Sequence, residues 1–245
     1  MNPRATLATA VRVLQQLRRD RRTVALVIGT PVLLMSLMYG IFDGDPAAFQ
    51  RVGVPLLGVF PLTSMFLVTS VTMLRERTSG TLERLMTLPL AKLDLLLGYA
   101  LAFGIVAMIQ SFVVSSFAFT LLDLQVAGSV WGVVGLAVLD ALLGTAFGLF
   151  LSAFAQTEFQ AVQFMPFFVL PQILLCGLLV PHDSMATVLG WASNALPMTY
   201  AYDALERVAR PGGTSARLYV DILVLLGATV VALVLGAATL RRRTA

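Results

Sequence analysis

The sequence predicts an all-α, polytopic membrane protein with six transmembrane helices, and three observations carry that expectation. Of the 245 residues, 58% are apolar and only 12% charged, whereas a soluble domain needs about a quarter of its residues charged to keep its surface hydrated. The mean hydropathy is +0.87. Six apolar runs are each long enough to cross a hydrocarbon core of about 30 Å as a helix, which satisfies its own backbone in lipid as an isolated strand cannot. Together they use about half the chain, so the connections are short and a fused ATPase or large ectodomain is excluded. The chain reads as a single domain, residues 1–245.

Residues 1–22 come first. Arg4, Arg12, Arg18, Arg19, Arg21 and Arg22 accompany Leu7, Val11, Leu14 and Leu17, which recur on one helical face. That pattern suits an amphipathic helix lying at an anionic membrane surface, with a solvated helix packed on protein as the alternative. The spans follow at 23–42, 52–74, 95–122, 129–155, 159–180 and 218–240. The first is read as retained, because Asp43-Gly44-Asp45-Pro46 after it offers no small-x-small cleavage site. In the fifth, Pro166 and Pro171 remove backbone donors and predict a kink, so that span should face protein rather than only lipid. Residues 181–217 are too polar to cross. Met185, Val188, Leu189, Trp191, Leu196, Met198, Tyr200 and Tyr202 nevertheless make the segment amphipathic enough to dip into the outer leaflet as a short re-entrant or interfacial helical pair.

Orientation follows from charge. With the amino terminus inside, thirteen basic residues fall on the cytoplasmic side, and only Arg51, Arg207, Arg210 and Arg217 outside. Lys and Arg near span ends stay in the cytoplasm, which places both termini there in a multi-pass protein of the cell membrane. The net charge of +4 and pI near 9.7 serve this orientation; the basic residues border apolar runs instead of forming a nucleic-acid surface. Cys176 is the single cysteine, which excludes an intrachain disulfide and the usual cysteine metal clusters. His182, also single, reads as an interfacial hydrogen-bonding residue at the outer end of span five.

The most informative segment is the 75–94 loop between spans two and three. Gly80 or Thr81 can begin a short helix, Glu83 complements its positive end, and Pro89 stops it after about two turns. Leu82, Leu85 and Met86 then form an apolar ridge flanked by charge. Such a ridge fits a groove on another protein or packs against the chain's own spans.

The run Arg75-Glu76-Arg77-Thr78-Ser79-Gly80-Thr81-Leu82-Glu83-Arg84-Leu85 resembles the coupling-helix region of permease subunits of type-2 ATP-binding-cassette (ABC-2) exporters, particularly drug-efflux permeases of the daunorubicin-resistance kind. Gln156, Gln160 and Gln163, then Pro166, Gly177 and Pro181, are similar to that family's fifth-span region. Pro197-Met198-Thr199-Tyr200 with Asp203 and Leu205 looks like its motif before the last span. The resemblance covers nearly the whole chain. It implies that Glu76, Gly80, Thr81, Leu82, Glu83, Leu85, Met86 and Pro89 lie on or beside the helix that docks with a nucleotide-binding subunit. The family is often more acidic around the glycine, where Thr78 and Ser79 stand here. It also implies two permeases, the second identical to the first, and two cytoplasmic ABC ATPase subunits that carry ATP and Mg. Export of a lipid-like or amphiphilic drug-like substrate, and hence drug efflux and antibiotic resistance, is the implied role.

The chain itself offers no ATPase or catalytic residues. A P-loop needs Gly-x-x-x-x-Gly-Lys before Ser or Thr, yet Lys92, the single lysine, stands between Ala91 and Leu93. His-Glu-x-x-His and Gly-x-Ser-x-Gly are absent too. ATP hydrolysis therefore belongs to a partner, and no cofactor or metal is expected on this chain.

Within the spans, Asp140 stands out, because an ionised carboxylate at mid-span costs a few kcal/mol and must avoid lipid. A static hydrogen bond competes with a part in a polar pathway or gate. If Asp140 bound protons, the chain would be an ion-coupled secondary carrier needing no ATPase; an intramembrane enzyme pairing Asp140 with Asp221 is a weaker rival, since the two acids fall at different depths. Gln156, Gln160 and Gln163 either line a cytoplasmic entrance or bond between helices. Gly144 and Gly148 favour close helix packing. Phe164, Met165, Phe167 and Phe168 are apolar enough to touch a greasy substrate but are ordinary membrane residues.

Overall fold

The computed structural model describes residues 3–81, 92–213 and 215–239. Within these the secondary structure is helical and no strand occurs. The order is α1 (Pro3–Arg19), α2 (Arg21–Ile41), α3 (Pro46–Thr78), α4 (Lys92–Thr120), α5 (Val130–Leu151), α6 (Glu158–Leu175), a 3₁₀ turn (His182–Ser184), α7 (Thr187–Asn194), α8 (Pro197–Val208) and α9 (Ala216–Ala238). Helices α2 to α6 and α9 are long and apolar enough to cross a membrane. The first expected span begins two residues earlier than the apolar run, and the last ends two residues sooner.

Helix α1 is joined to α2 by Asp20 alone. Its carboxylate caps α2 by accepting from the Thr23 backbone N–H (3.1 Å) and hydroxyl (2.6 Å), and these bonds hold the Asp20 carboxyl below its usual range. The face of α1 that packs inward is Thr9, Ala10 and Val13, crossing α4 at Gly98. A Cβ on Gly98 would meet the Thr9 side chain at 2.6 Å and the Thr6 carbonyl at 2.9 Å, so the crossing needs glycine. Leu7 and Val11, from the apolar row read in the sequence, point outward and are more than half exposed.

The centre of the molecule is the α3–α5 pair, which shares the largest interface. Helix α3 has 33 residues, about 50 Å of helix, and so projects beyond a hydrocarbon core. Asp45 caps it through the Ala48 N–H at 3.0 Å, with Pro46 at its first position. Gly144 of α5 lies against the Leu62 backbone, and Gly148 against the Phe66 carbonyl and Thr69 hydroxyl. Bare backbone at both positions lets the helices approach closely.

Prolines are accommodated differently on different helices. Pro31 cannot donate to the carbonyl four residues back, Val27, and the Gln110 side-chain amide of α4 donates to that carbonyl instead at 2.9 Å. Gln110 also donates to the Ser64 hydroxyl of α3, joining three helices through one side chain. Helix α6 meets protein along one side, where it packs on α3 and sets Phe168 against Phe147 of α5. Pro166 and Pro171 are exposed, and only Ala161, Val169 and Gln172 are buried, because α6 runs along the edge of the bundle. The helix also stops at Leu175, short of the 180 expected, since Gly177 adopts φ +100°, a left-handed conformation open to glycine.

After that turn, α7 and α8 form the helical pair read in residues 181–217. The Ser193 hydroxyl donates to the Leu175 carbonyl (2.8 Å), and Thr199 donates to the Ser193 carbonyl (2.7 Å). Helix α8 buries Met198, Ala201, Ala204, Leu205 and Val208. Its last carbonyls are satisfied by backbone amides from the turn before α5: Ser129 donates to Val208 (3.1 Å) and Gly128 to Ala209 (2.9 Å).

Candidate functional site

At one end of the bundle, here the basic end, α3 finishes with Arg75, Glu76 and Arg77. Ser79 caps it by donating its N–H to the Arg75 carbonyl at 2.9 Å. Gly80 then takes φ +71°, and among the described residues no atom lies within 4 Å of a Cβ placed there; the Thr81 hydroxyl meets that of Ser79 at 2.9 Å. The left-handed glycine therefore stands just past the end of α3, where a helix commonly stops. Leu82, Glu83, Leu85, Met86 and Pro89, the remainder of the expected docking segment, lie outside the described residues.

Glu76 faces inward. Its side chain is nearly buried and pairs with Arg12 of α1 at 3.1 Å. Arg12 also donates to the Tyr99 hydroxyl of α4 at 2.5 Å and lies over that ring. One guanidinium thus ties α1, α3 and α4 together beside Gly80, and Glu76 holds α1 instead of presenting a carboxylate outward. A double-mutant cycle of Arg12→Ala and Glu76→Ala in detergent unfolding is expected to give a coupling of about 1 to 2 kcal/mol, because Glu76 is largely desolvated. Additive effects would show that the pair does not secure α1.

Arg75 forms a forked pair with Glu158 at the start of α6, at 2.7 and 3.0 Å. Both groups are more than half exposed, so their contribution to stability is small. Gln160 is engaged locally: its N–H donates to the hydroxyl of the capping residue Thr157 (3.2 Å), and its side-chain oxygen accepts from the Gln156 N–H just outside the helix (2.8 Å). Gln156, Gln160 and Gln163 are exposed at the same end of α6. Pro166 lies farther along, and Gly177 at the opposite end.

Asp140 sits in α5, buried among Pro55, Val59, Met198, Tyr202 and Leu205 in a niche with no space for a water. Its carboxylate lies on Gly58, where a Cβ would collide with it, and its Oδ1 has no hydrogen-bond partner. Tyr202 of α8 also packs on Gly177, so one ring joins Asp140 and Gly177. The glutamines and Pro166 lie apart from both.

Sequence reasoning missed an ionic cluster at the end opposite the basic one. Arg207 bridges Asp203 (3.1 Å) and the fully buried Asp221 (3.2 Å), Arg217 reaches Asp221 at 3.7 Å, and His182 approaches Asp203 at 3.8 Å. The cluster fastens α8 to α9. Two of its pairs are four residues apart, a helical spacing visible in the sequence. Among the described residues no group of three His, Cys, Asp or Glu side chains could hold a metal.

A groove of about 350 Å³ opens between α2 and α3 toward Met165 of α6. Leu26, Leu34 and Leu67 line it with Thr30 and Thr63, and Arg75 stands at one end. Aliphatic walls interrupted by hydroxyls can receive an amphiphile.

Six apolar helices in one all-helical chain define a multi-pass membrane protein. A family described as ABC-2 type transporter matches residues 4–208, and the chain belongs to that family. Its similarity to the "Probable multidrug ABC transporter permease YbhR" of Escherichia coli K12 is 30% identity over 139 residues, 57% of this chain and 37% of that protein. The corresponding YbhS permease is 27% identical over 168 residues, 67% of this chain and 44% of that protein. ABC transporter G family member 20 of Dictyostelium discoideum is 26% identical over 145 residues, 59% of this chain and 20% of that protein. The chain thus spans less than half the length of these relatives. Family membership agrees with the six apolar helices in making this a multi-pass membrane protein.

Proposed function

We propose that the chain is the membrane-spanning half of an ABC exporter that moves a lipid-like or amphiphilic drug-like substrate outward, using ATP hydrolysed by a docked partner. Beyond family membership, the observation that carries this reading is the continuity of α3. One helix of 33 residues begins near the end that holds the ionic cluster, packs along α5, and ends beside the loop that contains the docking ridge. A displacement applied at Gly80 is passed to the centre of the bundle, and Arg12 passes it to α1. The basic end is the cytoplasmic one in this reading, with both termini on that side.

The exporter works as a pair of identical permeases. Helices α2 and α6 support this, since each leaves large apolar side chains uncovered, among them Leu26 and Leu33, and Phe167 at 80% exposure. The α2–α3 groove would then open between the copies as the substrate path, with Pro166 and Pro171 facing the partner. Helices α7 and α8 close the outer side as the re-entrant pair.

The deciding experiment is reconstitution of the full chain in sealed vesicles with and without its ATPase. Transport is expected to require both the partner and hydrolysable ATP, to survive collapse of the proton gradient, and to persist in Asp140→Asn, which keeps the shape of the niche. Uphill transport by the permease alone under a proton gradient, abolished by Asp140→Asn, would establish the carrier instead.

A further inference from the structure

We propose that the crevice between α1, α2 and α4 is a binding site for one anionic phospholipid, which lays part of an acyl chain in the crevice and its phosphate on the arginines at the α1–α2 joint. The crevice has a volume of about 200 Å³ and an almost wholly apolar lining. Leu14 and Leu17 come from α1, Val24 and Ile28 from α2, Val106 and Ile109 from α4, and Arg18 is the one charged lining residue. Such a slot is unfavourable to fill with water, and its volume is less than that of one turn of a helix of about 10 Å diameter.

Charge selects the occupant. Arg18, Arg19, Arg21 and Arg22 are all exposed, and none of them takes part in an ion pair among the described residues. The single acid in their midst, Asp20, is committed to the Thr23 cap. Arg18 at the crevice and Arg19, Arg21 and Arg22 beside it therefore outnumber Asp20 four to one, and none of the four is taken up in an ion pair among the described residues. The joint is also where an amphipathic helix with outward Leu7 and Val11 turns into an apolar helix of 21 residues, which places it at headgroup depth. A zwitterionic lipid would offer the chain but no net charge, and an inorganic anion would offer the charge but no chain. Since Arg12 of the same α1 grips Glu76, an occupied crevice fixes α1 against α4 beside the proposed coupling loop.

The test is native mass spectrometry of the full chain released from mixed micelles of phosphatidylglycerol and phosphatidylcholine in equal amounts. One retained phosphatidylglycerol per chain is expected. Arg18→Gln with Arg21→Gln and Arg22→Gln should reduce its retention roughly tenfold or more, since each basic residue near an anionic surface contributes. Ile109→Trp, at a position half exposed at the crevice, should displace the lipid while leaving every arginine in place; Val106→Phe is a second filling variant, with thermal melting as the check that both fold. Excess inorganic phosphate should leave the bound lipid in place. Equal retention of the two lipids, retention undiminished in folded filling variants, or displacement by inorganic phosphate would each overturn the proposal, the last leaving an anion site only.

Discussion

Replacing Gly148 with leucine is expected to force α3 and α5 apart and to lower the melting temperature in detergent by roughly 10 °C. A Cβ at this position would collide with the Thr69 hydroxyl and the Phe66 carbonyl and would approach the Ser70 nitrogen at 3.1 Å. Two of these atoms are backbone and cannot rotate aside. The third is held, because the Thr69 hydroxyl donates to the Met65 carbonyl at 2.7 Å within α3. Thr69 and Ser70 are fully buried, so the strain has no route to the surface, and separating the helices would lose dispersion contacts along the largest interface in the chain. Gly135, on the same helix, supplies the control: no atom lies within 4 Å of its hypothetical Cβ, so Gly135→Leu should leave melting nearly unchanged. Equal melting of both variants with the wild type would mean that the α3–α5 approach is looser than this geometry requires.

That interface shows which parts of the fold the sequence made legible. Lipid imposes a length and a polarity on every crossing helix, so six apolar runs announced six long helices. Glycines four residues apart in α5 announced a close approach. The ends were less legible, because polar residues can continue a helix past the hydrocarbon: α3 extends to Pro46 and Thr78, well beyond the 52–74 run. Gly177 worked in the other direction, since its positive φ ended α6 inside an apolar stretch that reads as unbroken.

The sites divide along the same physical line. Asp140 had to face protein because lipid would not accept it, and it does; that its neighbours would be carbon, with Oδ1 unpaired, depended on Pro55, Met198 and Leu205 arriving from distant segments. Arg12, Glu76 and Tyr99 meet although 64 and 87 residues separate Arg12 from its partners. No local period encodes that meeting. The Asp203–Arg207 and Arg217–Asp221 pairs, by contrast, lie one helical turn apart, and helix geometry alone would have found them.

Leu82→Asp combined with Leu85→Asp is expected to abolish capture of the ATPase subunit and all ATP-driven transport, while the permease still inserts and melts as the wild type does. In the short helix that the sequence predicts for this segment, a spacing of three would put both side chains on one ridge, and a ridge seated in a partner's groove would lose its contacts and gain two desolvated carboxylates when so changed. Hot-spot positions of this kind are each worth about 2 kcal/mol or more, which together reduces affinity by several hundredfold or more. The opposite assignment, in which the ridge packs on the chain's own spans, makes a different forecast: melting would fall before docking did. Glu76→Gln separates the two routes further. Since Arg12 occupies that carboxylate, the substitution should loosen α1 and weaken the coupling of ATP hydrolysis to transport while ATPase capture in a pull-down stays intact. Unchanged capture and transport by the Leu82 and Leu85 double variant would remove the docking ridge from the mechanism, and with it the mechanical path from Gly80 into α3.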